Sequence, residues 1–434
     1  MKILLILPKD STYQSNGAFS KPISYAPLTL TTLAALVPKK LNADITIIDE
    51  GVQKPDYGKT DWDIVGITCV TSSAPRAYEL SSYFRTKGIF VVLGGAHPTL
   101  MPDEASEHAD SVVTGVAVKT WPQLLKDYAA GKTKSIYTQG RCKTLVTPTP
   151  RRDLQKRAYL GIPTVQATMG CGNHCEYCSI NKLWGDNFKR DIPEVIDEIR
   201  SLNSKKVLFL DPNLTYDKEY AKELFSALIN LNIAWGGSVE TSMPEDNELL
   251  ELAVKSGCME LLMGFESFSQ DSLKKTSKEA NRVDNYKHIV KTLHKHQIPV
   301  MGTFVLGLDG DTKRSLLNTV EYIDDLGLDL ARYAVLTPFP GTRLFDRFVK
   351  EERIITKNWF YYDHEHVVYK PEQMRPEELQ LILTNVWKKT YSTQKIFKRV
   401  SRTPRNKGLH LAANIGFKHY ARNLAKGIEG HLAS

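Results

Sequence analysis

The chain of 434 residues has few cysteines, six in all. It also lacks any apolar run near the roughly 18 residues that suggest a membrane-spanning helix. Cys69, Cys142 and Cys258 stand far apart, which argues against a disulfide framework. The start, MKILLILPKDS, holds only a short apolar stretch and predicts a buried strand rather than a signal peptide. We therefore expect a cytoplasmic protein with reduced thiols.

Acidic residues are almost missing from the end of the chain. From Gln394 to Ser434 there are nine Lys or Arg and one acid, so this segment accounts for the net charge of +8. A helix predicted there has an apolar stripe of Phe417, Tyr420, Ala421, Leu424 and Ile428, and a basic stripe of Lys418, Arg422 and Lys426. Three interpretations are open: docking on the rest of the protein, contact with an anionic membrane surface, and nucleic-acid binding. The last is unexpected, because no nucleic-acid-binding module is recognisable.

Residues 1–140 alternate short β-branched runs with segments of helical apolar spacing. The candidate strands are KILLIL, ADITIID, IVGITCV, IFVVLGG and SVVTG. Because these runs are apolar along their length, the strands are expected to be covered on both faces. The pattern predicts an α/β domain with a doubly wound, Rossmann-like parallel sheet, whose ligands bind beyond the carboxyl ends of the strands.

A linker rich in Pro, Thr and basic residues over 141–163 precedes a second βα series in residues 164–355. Its six candidate strands run from TVQATM to LARYAVLTP, with five helical stretches between them. Six strands are too few for an eightfold barrel, so we predict a partial, TIM-like (β/α)6 barrel. Residues 356–434 show no strand alternation and predict a helical C-terminal region.

The remaining cysteines, Cys171, Cys175 and Cys178, lie within MGCGNHCEYCSI at a C-x3-C-x2-C spacing. Three interpretations are open: a structural zinc site, buried free thiols and an iron–sulfur cluster. Zinc sites commonly use a second Cys or His pair, which is missing here, and the loop is polar rather than apolar. Cysteine thiolates are the usual ligands of iron–sulfur clusters, and three of them leave one iron of a four-iron cluster open for chemistry.

These cysteines, with Tyr177 directly before the last one, resemble the C-x3-C-x-aromatic-C hallmark of radical SAM enzymes. The resemblance implies a 4Fe-4S cluster, with S-adenosylmethionine bound to its open iron and cleaved to methionine and a 5′-deoxyadenosyl radical. It also implies candidate S-adenosylmethionine-binding residues near the ends of later strands: Asp211, Asn213, Glu266, Gly302 and Gly307. Alternatively, Asp211 caps a helix, Glu266 is a solvated acid and the glycines only serve turns.

The first domain resembles the cobalamin-binding domain of cobalamin-dependent radical SAM proteins. The residues that match its most recognisable run are Gly94, Gly95, His97, Pro98 and Thr99. All of these but the proline are implied to contact cobalamin, with the histidine shaping the loop rather than binding cobalt. The chain departs from the family pattern at Val116 and Val118, where the family typically carries two acids, so a polar rim of the ligand pocket is replaced by an apolar one.

The two resemblances together imply cobalamin-dependent methylation of an unactivated carbon. Two alternatives stay open: radical cyclisation, rearrangement or C–C bond formation without methyl transfer, and a corrinoid or redox sensor without turnover. The expected partners are a small-molecule or lipid substrate and an external electron donor such as flavodoxin or ferredoxin. Membrane contact through the basic tail would be peripheral, at the inner membrane surface.

Overall fold

The computed structural model describes residues 1–9, 26–58, 61–139, 146–155, 161–185 and 187–432, with the side chains of 425–432 outside the description. Within these ranges the chain forms two six-stranded parallel sheets followed by a helical region. The first sheet ends at Thr138 and the second begins at Thr164. These limits lie inside the predicted domain bounds, which stay a prediction. Cys142 lies outside the described residues.

Six strands form the first sheet: β1 (Lys2–Leu7), β2 (Asp44–Asp49), β3 (Ile64–Thr68), β4 (Phe90–Gly94), β5 (Ser111–Thr114) and β6 (Ile136–Thr138). They lie in the order β2-β1-β3-β4-β5-β6. The helices of this part are α1 (Thr29–Ala35), α2 (Ala74–Arg85), α3 (Ala96–Leu100), α4 (Pro102–Glu107) and α5 (Ala117–Ala129). A separate apolar cluster lies on each face, which confirms the parallel α/β sheet. The prediction missed β6, whose three residues are too short to show a period.

The second part of the chain contributes eight strands: β7 (Thr164–Val165), β8 (Thr168–Met169), β9 (Phe188–Lys189), β10 (Lys206–Phe209), β11 (Ala234–Val239), β12 (Cys258–Glu266), β13 (Val300–Leu306) and β14 (Leu330–Val335). Six of them form a parallel sheet in the order β14-β13-β12-β11-β10-β7, while β8 pairs antiparallel with β9. The predicted strand TVQATM is divided between β7 and β8 because the chain bends at Ala167.

Helices connect these strands and cover one face of the second sheet. They are α6 (Ile180–Trp184), α7 (Ile192–Ser201), α8 (Lys218–Leu228), α9 (Asn247–Lys255), α10 (Gln270–Lys275), α11 (Tyr286–Lys295), α12 (Lys313–Leu326) and α13 (Arg343–Lys350). The five helices expected between the strands are therefore present as α7, α8, α9, α11 and α12. Their apolar residues and the sheet form the largest core of the molecule.

The two faces of the second sheet differ in exposure, as β13 shows by alternating buried and part-exposed residues. Its buried face includes Phe304, which stacks on Phe268 with ring centroids 5.0 Å apart. Phe268 in turn contacts Tyr322 of α12, so the buried face is the one that the helices cover. The opposite face, with Met301 and Thr303, is part-exposed. The interior of this partial barrel is therefore open rather than filled with side chains.

Three helices complete the chain: α14 (Pro376–Thr390), α15 (Thr393–Arg402) and α16 (Lys407–Leu432). The rings of Phe417 and Tyr420 on α16 pack against Trp387 of α14, with centroids 5.7 Å and 4.7 Å apart. Ala421 and Leu424, from the same predicted stripe, are also buried. The apolar stripe of the tail is thus used for packing within the protein, which favours the docking interpretation.

The basic stripe of α16 lies mostly away from these contacts. The ammonium of Lys418 donates a hydrogen bond to the Thr393 hydroxyl at 2.6 Å, and Arg422 is exposed. The side chains of Lys426 and Ile428 lie outside the description. Among the described residues, no helix is long and apolar enough to cross a bilayer. Peripheral membrane contact stays a prediction.

A carboxylate joins the first sheet's domain to the C-terminal region. The indole N–H of Trp359 donates to both carboxylate oxygens of Glu104, at 2.9 Å and 3.1 Å. Tyr78 donates to the same carboxylate at 2.9 Å. At the same junction, α3 contacts α6, the helix that directly follows the three clustered cysteines. The carboxyl-end loops of the first sheet therefore border the loops of the second.

Asp211, which follows β10, holds the bend between β7 and β8. Its buried carboxylate accepts hydrogen bonds from the backbone amides of Ala167, at 3.1 Å and 3.2 Å, and of Thr168. Burial raises the pKa of Asp211 to about 6, although the amide donors act in the opposite direction. The carboxyl group thus fixes the path of the chain just before the cysteines.

Replacing Asp211 by Asn should change how the stability of the apoprotein depends on pH. A carboxyl group whose pKa is raised on folding contributes stability at low pH that is lost as the pH rises through its folded value, about 6. Between pH 4.5 and 7.5, the unfolding free energy of the wild type should therefore fall by about 2 kcal/mol relative to Asp211→Asn. Urea unfolding across this range measures the difference. Asp197→Asn, at a side chain 74% exposed, is the control and should show a flat difference.

Two glycines with positive φ link a helix to the next strand in the second sheet. Gly257, before β12, has φ +90°, and a Cβ built on it would lie 2.1 Å from the Ile233 carbonyl oxygen. Gly327, after α12, has φ +79°, and no atom lies within 4 Å of its built Cβ. The first glycine is therefore required by both conformation and space, the second by conformation alone.

Gly257→Ala should destabilise the apoprotein by about 3 kcal/mol, because it combines a left-handed backbone with a backbone collision. Gly327→Ala should cost about 1 kcal/mol, because only the conformational term applies. Urea midpoints of the two variants measure the difference. Equal losses would show that the close approach to Ile233 is relieved at little cost.

Candidate functional site

The three clustered cysteines lie in one loop, the cysteine loop (residues 170–179), between β8 and α6. Cys175 is buried, and Cys171 and Cys178 are part-exposed. The amide of Cys178 donates to the carbonyl of Cys175 at 3.1 Å, and the Asn181 side chain donates to the carbonyl of Cys171. The loop therefore turns tightly and brings its three thiols to the carboxyl-end edge of the second sheet.

Contacts with later parts of the barrel fix the cysteine loop. The amide of Glu176 donates to the carbonyl of Thr276 at 3.1 Å, and the carbonyl of Glu176 accepts from the amide of Leu344 at 3.2 Å. The Glu176 carboxylate pairs with Arg347 of α13 at 2.8 Å, and Arg343 donates to the carbonyl of His174. The last helix of the barrel thus holds the loop that follows its first strand.

An amide and a carboxylate from neighbouring strand ends meet beside Cys171. Asn213, after β10, and Asn173, in the cysteine loop, both donate to Oε1 of Glu240 at 2.7 Å. The same Asn213 nitrogen lies 4.0 Å from Sγ of Cys171. The sequence pointed to Asn213 but not to Glu240. The available signal was that Glu240 directly follows the apolar, strand-like run at 233–239, where the carboxyl end of a parallel strand is expected.

Glu266 ends β12 in a strained conformation, with φ +66°. The pairing of β12 with β13 shifts register just before it, which is the geometry of a β-bulge that re-aims a side chain. A Cβ built on Gly264 would lie only 2.3 Å from Oε1 of Glu266, so the carboxylate folds back over this glycine. It lies 3.7 Å from the ammonium of Lys278. The proposed residue Glu266 is thus next to the cysteine loop.

Among the described residues, Lys278 brings a positive charge to this site, and no sequence motif pointed to it. Burial lowers its pKa, but Glu266 and the three clustered cysteines outweigh that effect and raise the pKa above its ordinary value. The side chain is 21% exposed. Nothing in the local sequence singles out this lysine, because it reaches the cysteines only through the loop that follows α10.

Three proposed residues have structural roles that the sequence could not separate from a ligand contact. The Asp211 carboxylate accepts hydrogen bonds from the backbone amides described above. Cβ atoms built on Gly302 and Gly307 would lie 2.7 Å from Leu328 and 2.4 Å from the Tyr369 hydroxyl, and Gly307 also has φ +89°, so packing and backbone conformation account for both glycines. A role of these three residues toward S-adenosylmethionine stays a prediction.

The donor set of the cysteine loop fits an iron–sulfur cluster. Burial raises the pKa of Cys178 to about 11 and also raises that of Cys175, so a positively charged centre is needed to hold these sulfurs as thiolates. Lys278 supplies further positive charge beside the three sulfurs. Within the described ranges, no three His, Cys, Asp or Glu side chains converge as the ligands of a single metal ion.

The glycine-rich loop after β4 closes against its neighbouring strands. Gly95 has φ +100°, and a built Cβ would lie 2.6 Å from the Thr68 hydroxyl, so this glycine is required by the end of β3. The Thr99 hydroxyl donates to the Gly95 carbonyl at 2.7 Å and accepts from the Gly115 amide at 2.9 Å. Gly94 is the last residue of β4. Gly94, Gly95 and Thr99 thus shape an edge beside α6.

His97 in this loop is fully buried. Its Nε2 lies 3.0 Å from the Tyr78 hydroxyl and 3.3 Å from Glu104. The ring also lies 5.5 Å from that of Trp359. This placement is that of a loop-shaping residue, whereas its role toward cobalamin stays a prediction.

The edge of the first sheet near α6 has an apolar surface. Val70, directly after the end of β3, is 46% exposed, and Val116 and Val118 are part-exposed. The positions at which acids were expected therefore contribute to an apolar rim.

The site agrees with what comparison of the whole chain shows. Residues 165–323 match the model of the radical SAM superfamily. The chain is 33% identical to bacteriochlorophyllide d C-12(1)-methyltransferase of Chlorobaculum tepidum, over 93% of this chain and 90% of that protein. It is 27% identical to the C-8(2)-methyltransferase of the same organism, over 94% of each.

A solved structure shows the same two-part fold. The radical S-adenosylmethionine methyltransferase TsrM from Kitasatospora setae, with cobalamin and a [4Fe-4S] cluster bound, superimposes with a TM-score of 0.65 at 16% identity, over 87% of this chain and 80% of that one. The chain therefore belongs to the radical SAM superfamily of enzymes, whose cofactors are a 4Fe-4S cluster and S-adenosylmethionine, and to the group with a cobalamin-binding-type domain before the barrel.

Proposed function

We propose that the protein is a cobalamin-dependent C-methyltransferase that acts on a bacteriochlorophyllide or a closely similar tetrapyrrole. The observation that carries the proposal is the similarity to a bacteriochlorophyllide methyltransferase along nearly the whole of both chains. A similarity of this extent includes the C-terminal region, from which the sequence alone gave no substrate. The second bacteriochlorophyllide methyltransferase matches over an equal share and supports the same substrate class.

The cysteine loop is the proposed site of the 4Fe-4S cluster, with Cys171, Cys175 and Cys178 as its ligands. When bound, the cluster and S-adenosylmethionine supply a 5′-deoxyadenosyl radical, and cobalamin supplies the means of methyl transfer. Lys278 balances the negative charge of the thiolates, and the N–H of Asn213 near Cys171 stabilises that sulfur as an anion.

Polar groups around the cysteine loop are proposed to bind S-adenosylmethionine. Glu266 and Glu240 present carboxylates, and Asn213 an amide, at adjacent strand ends. These side chains are held by a bulge, a hydrogen bond and an ion pair, so they are oriented before any ligand arrives. The chain's contribution is to bind and orient the cosubstrate where the barrel interior opens.

The apolar edge of the first sheet is the proposed cobalamin site, with Gly94, Gly95 and Thr99 in the supporting loop. Val116 and Val118 give it an apolar rim that excludes water from the junction with α6. The substrate occupies the open barrel interior, where it faces both the cysteine loop and this edge. An external donor such as flavodoxin or ferredoxin supplies the electron.

Anaerobically reconstituted wild-type protein should hold about four irons and four sulfides. Replacing Cys171, Cys175 or Cys178 by Ala should remove the cluster and with it the formation of 5′-deoxyadenosine. Cys69→Ala and Cys258→Ala are matched controls, since both thiols are buried elsewhere and burial raises the pKa of Cys258 to about 12. Iron analysis and the visible absorption of the cluster measure the effect. Equal iron loss from both groups would contradict the assignment.

Incubation with bacteriochlorophyllide d, a strong reductant, cobalamin and S-adenosylmethionine labelled in its methyl group should place label in the tetrapyrrole. Without cobalamin, labelled product should disappear. Mass spectrometry of the tetrapyrrole and of 5′-deoxyadenosine measures both outcomes. 5′-Deoxyadenosine with an altered but unlabelled tetrapyrrole would instead indicate cyclisation or rearrangement. An unaltered tetrapyrrole would contradict the proposed substrate class.

A further inference from the structure

One arginine lies on the inner face of the barrel. Along β14, Arg332 is exposed between two buried neighbours, Ala331 and Tyr333. The Tyr333 hydroxyl is 2.6 Å from that of Thr390 on α14, so Tyr333 points toward the covering helices. Because successive side chains of a strand point to opposite faces, Arg332 points into the open interior.

Arg332 is not held in a salt bridge in the described part of the chain. Among the described residues, its guanidinium has no carboxylate within 4.0 Å and no hydrogen bond. Two arginines of the barrel that are more deeply buried are paired: Arg190 with Glu198 at 2.7 Å, and Arg353 with Asp309 at 2.8 Å. An arginine left unpaired in the interior of a barrel is available to a ligand.

The parallel register places Arg332 in a row with polar groups of the candidate site. Thr303 of β13 is paired with Arg332 on one side and with Gly264 of β12 on the other. The Glu266 carboxylate folds over Gly264 and pairs with Lys278. The row thus runs from the cysteine loop to the edge strand, across two strand spacings or about 10 Å.

We propose that Arg332 binds a carboxylate of the substrate. Guanidinium groups recognise carboxylates through two parallel hydrogen bonds, and the exposed fork of Arg332 lies on the part-exposed face of the second sheet, where the proposed substrate is placed. A substrate held this way has its acidic group at the edge strand and its body extended along the row toward the cysteine loop. The inference rests on the proposed function only in placing the substrate in the barrel interior.

Arg332 sets a preference for the free acid over its ester. Bacteriochlorophyllide d and the methyl ester of its free carboxyl group are titrated against the wild type, Arg332→Gln, Arg332→Lys and the control Arg282→Gln, which alters an exposed arginine on a loop. The wild type and the control should bind the acid about tenfold more tightly than the ester. The ratio of acid affinity to ester affinity should fall to about one in Arg332→Gln. In Arg332→Lys it should lie between the values of Arg332→Gln and the wild type, and the affinity for the ester should be unchanged in both variants. An equal affinity of the wild type for acid and ester, or a ratio retained in Arg332→Gln, would overturn the proposal.

A second measurement keeps the inference separate from the proposed substrate. Phenylglyoxal modification of Arg332 is followed by peptide mass spectrometry in propionate, propionamide or chloride at equal ionic strength. Propionate should slow modification of Arg332 severalfold, and the other two should not. If the tetrapyrrole does not bind but propionate protects Arg332, the proposed substrate is rejected and the carboxylate site is kept. Absence of protection by propionate would reject the carboxylate site.

Discussion

The parallel register of β10 to β14 is the constraint on which the candidate site depends. Parallel strands end at one edge of a sheet, so Asn213, Glu240 and Glu266, which are far apart along the chain, arrive at one level. The bulge before Glu266 then turns its carboxylate back toward the interior instead of toward solvent. The polar groups around the cysteine loop are therefore positioned by backbone pairing, which is stiffer than a loop and holds its geometry without a ligand.

Charge balance explains why the charged groups at this edge of the second sheet depend on one another. Among the described residues, the three cysteines and Glu266 share the ammonium of Lys278, in a part-buried setting where unpaired charge is costly. Glu240 is balanced differently, by hydrogen bonds from Asn173 and Asn213. Arg332 belongs to neither group and forms no salt bridge among the described residues, although its charge adds to burial in lowering the pKa of His364.

The sequence predicted those features of the fold and the site that short sequence patterns encode. Runs of apolar residues gave eleven of the twelve strands of the two main sheets, and cysteine spacing gave the loop and the family. The sequence did not predict residues whose role depends on the three-dimensional fold. Lys278 and Glu240 belong to no local motif. Arg332 resembles any charged residue until the alternation of side chains along β14 shows which way it points. The sequence also could not separate a ligand-binding glycine from one needed by packing, as at Gly302 beside Leu328. Tertiary contacts that decide function are set by partners distant along the chain.

The two sides of the barrel mouth have opposite chemistry, and this constrains how a substrate lies between them. The edge of the first sheet, with Val70 and Val116, is apolar, whereas Arg332 and Thr303 are polar. The hydrogen bonds from Trp359 to Glu104 tie the first domain to the C-terminal region, and Tyr78 holds the same carboxylate from within the first domain. An amphipathic molecule with a broad apolar body and one acid matches both sides only when the acid points toward β14. In the proposed arrangement, the part of the molecule remote from that acid lies beside the cysteine loop.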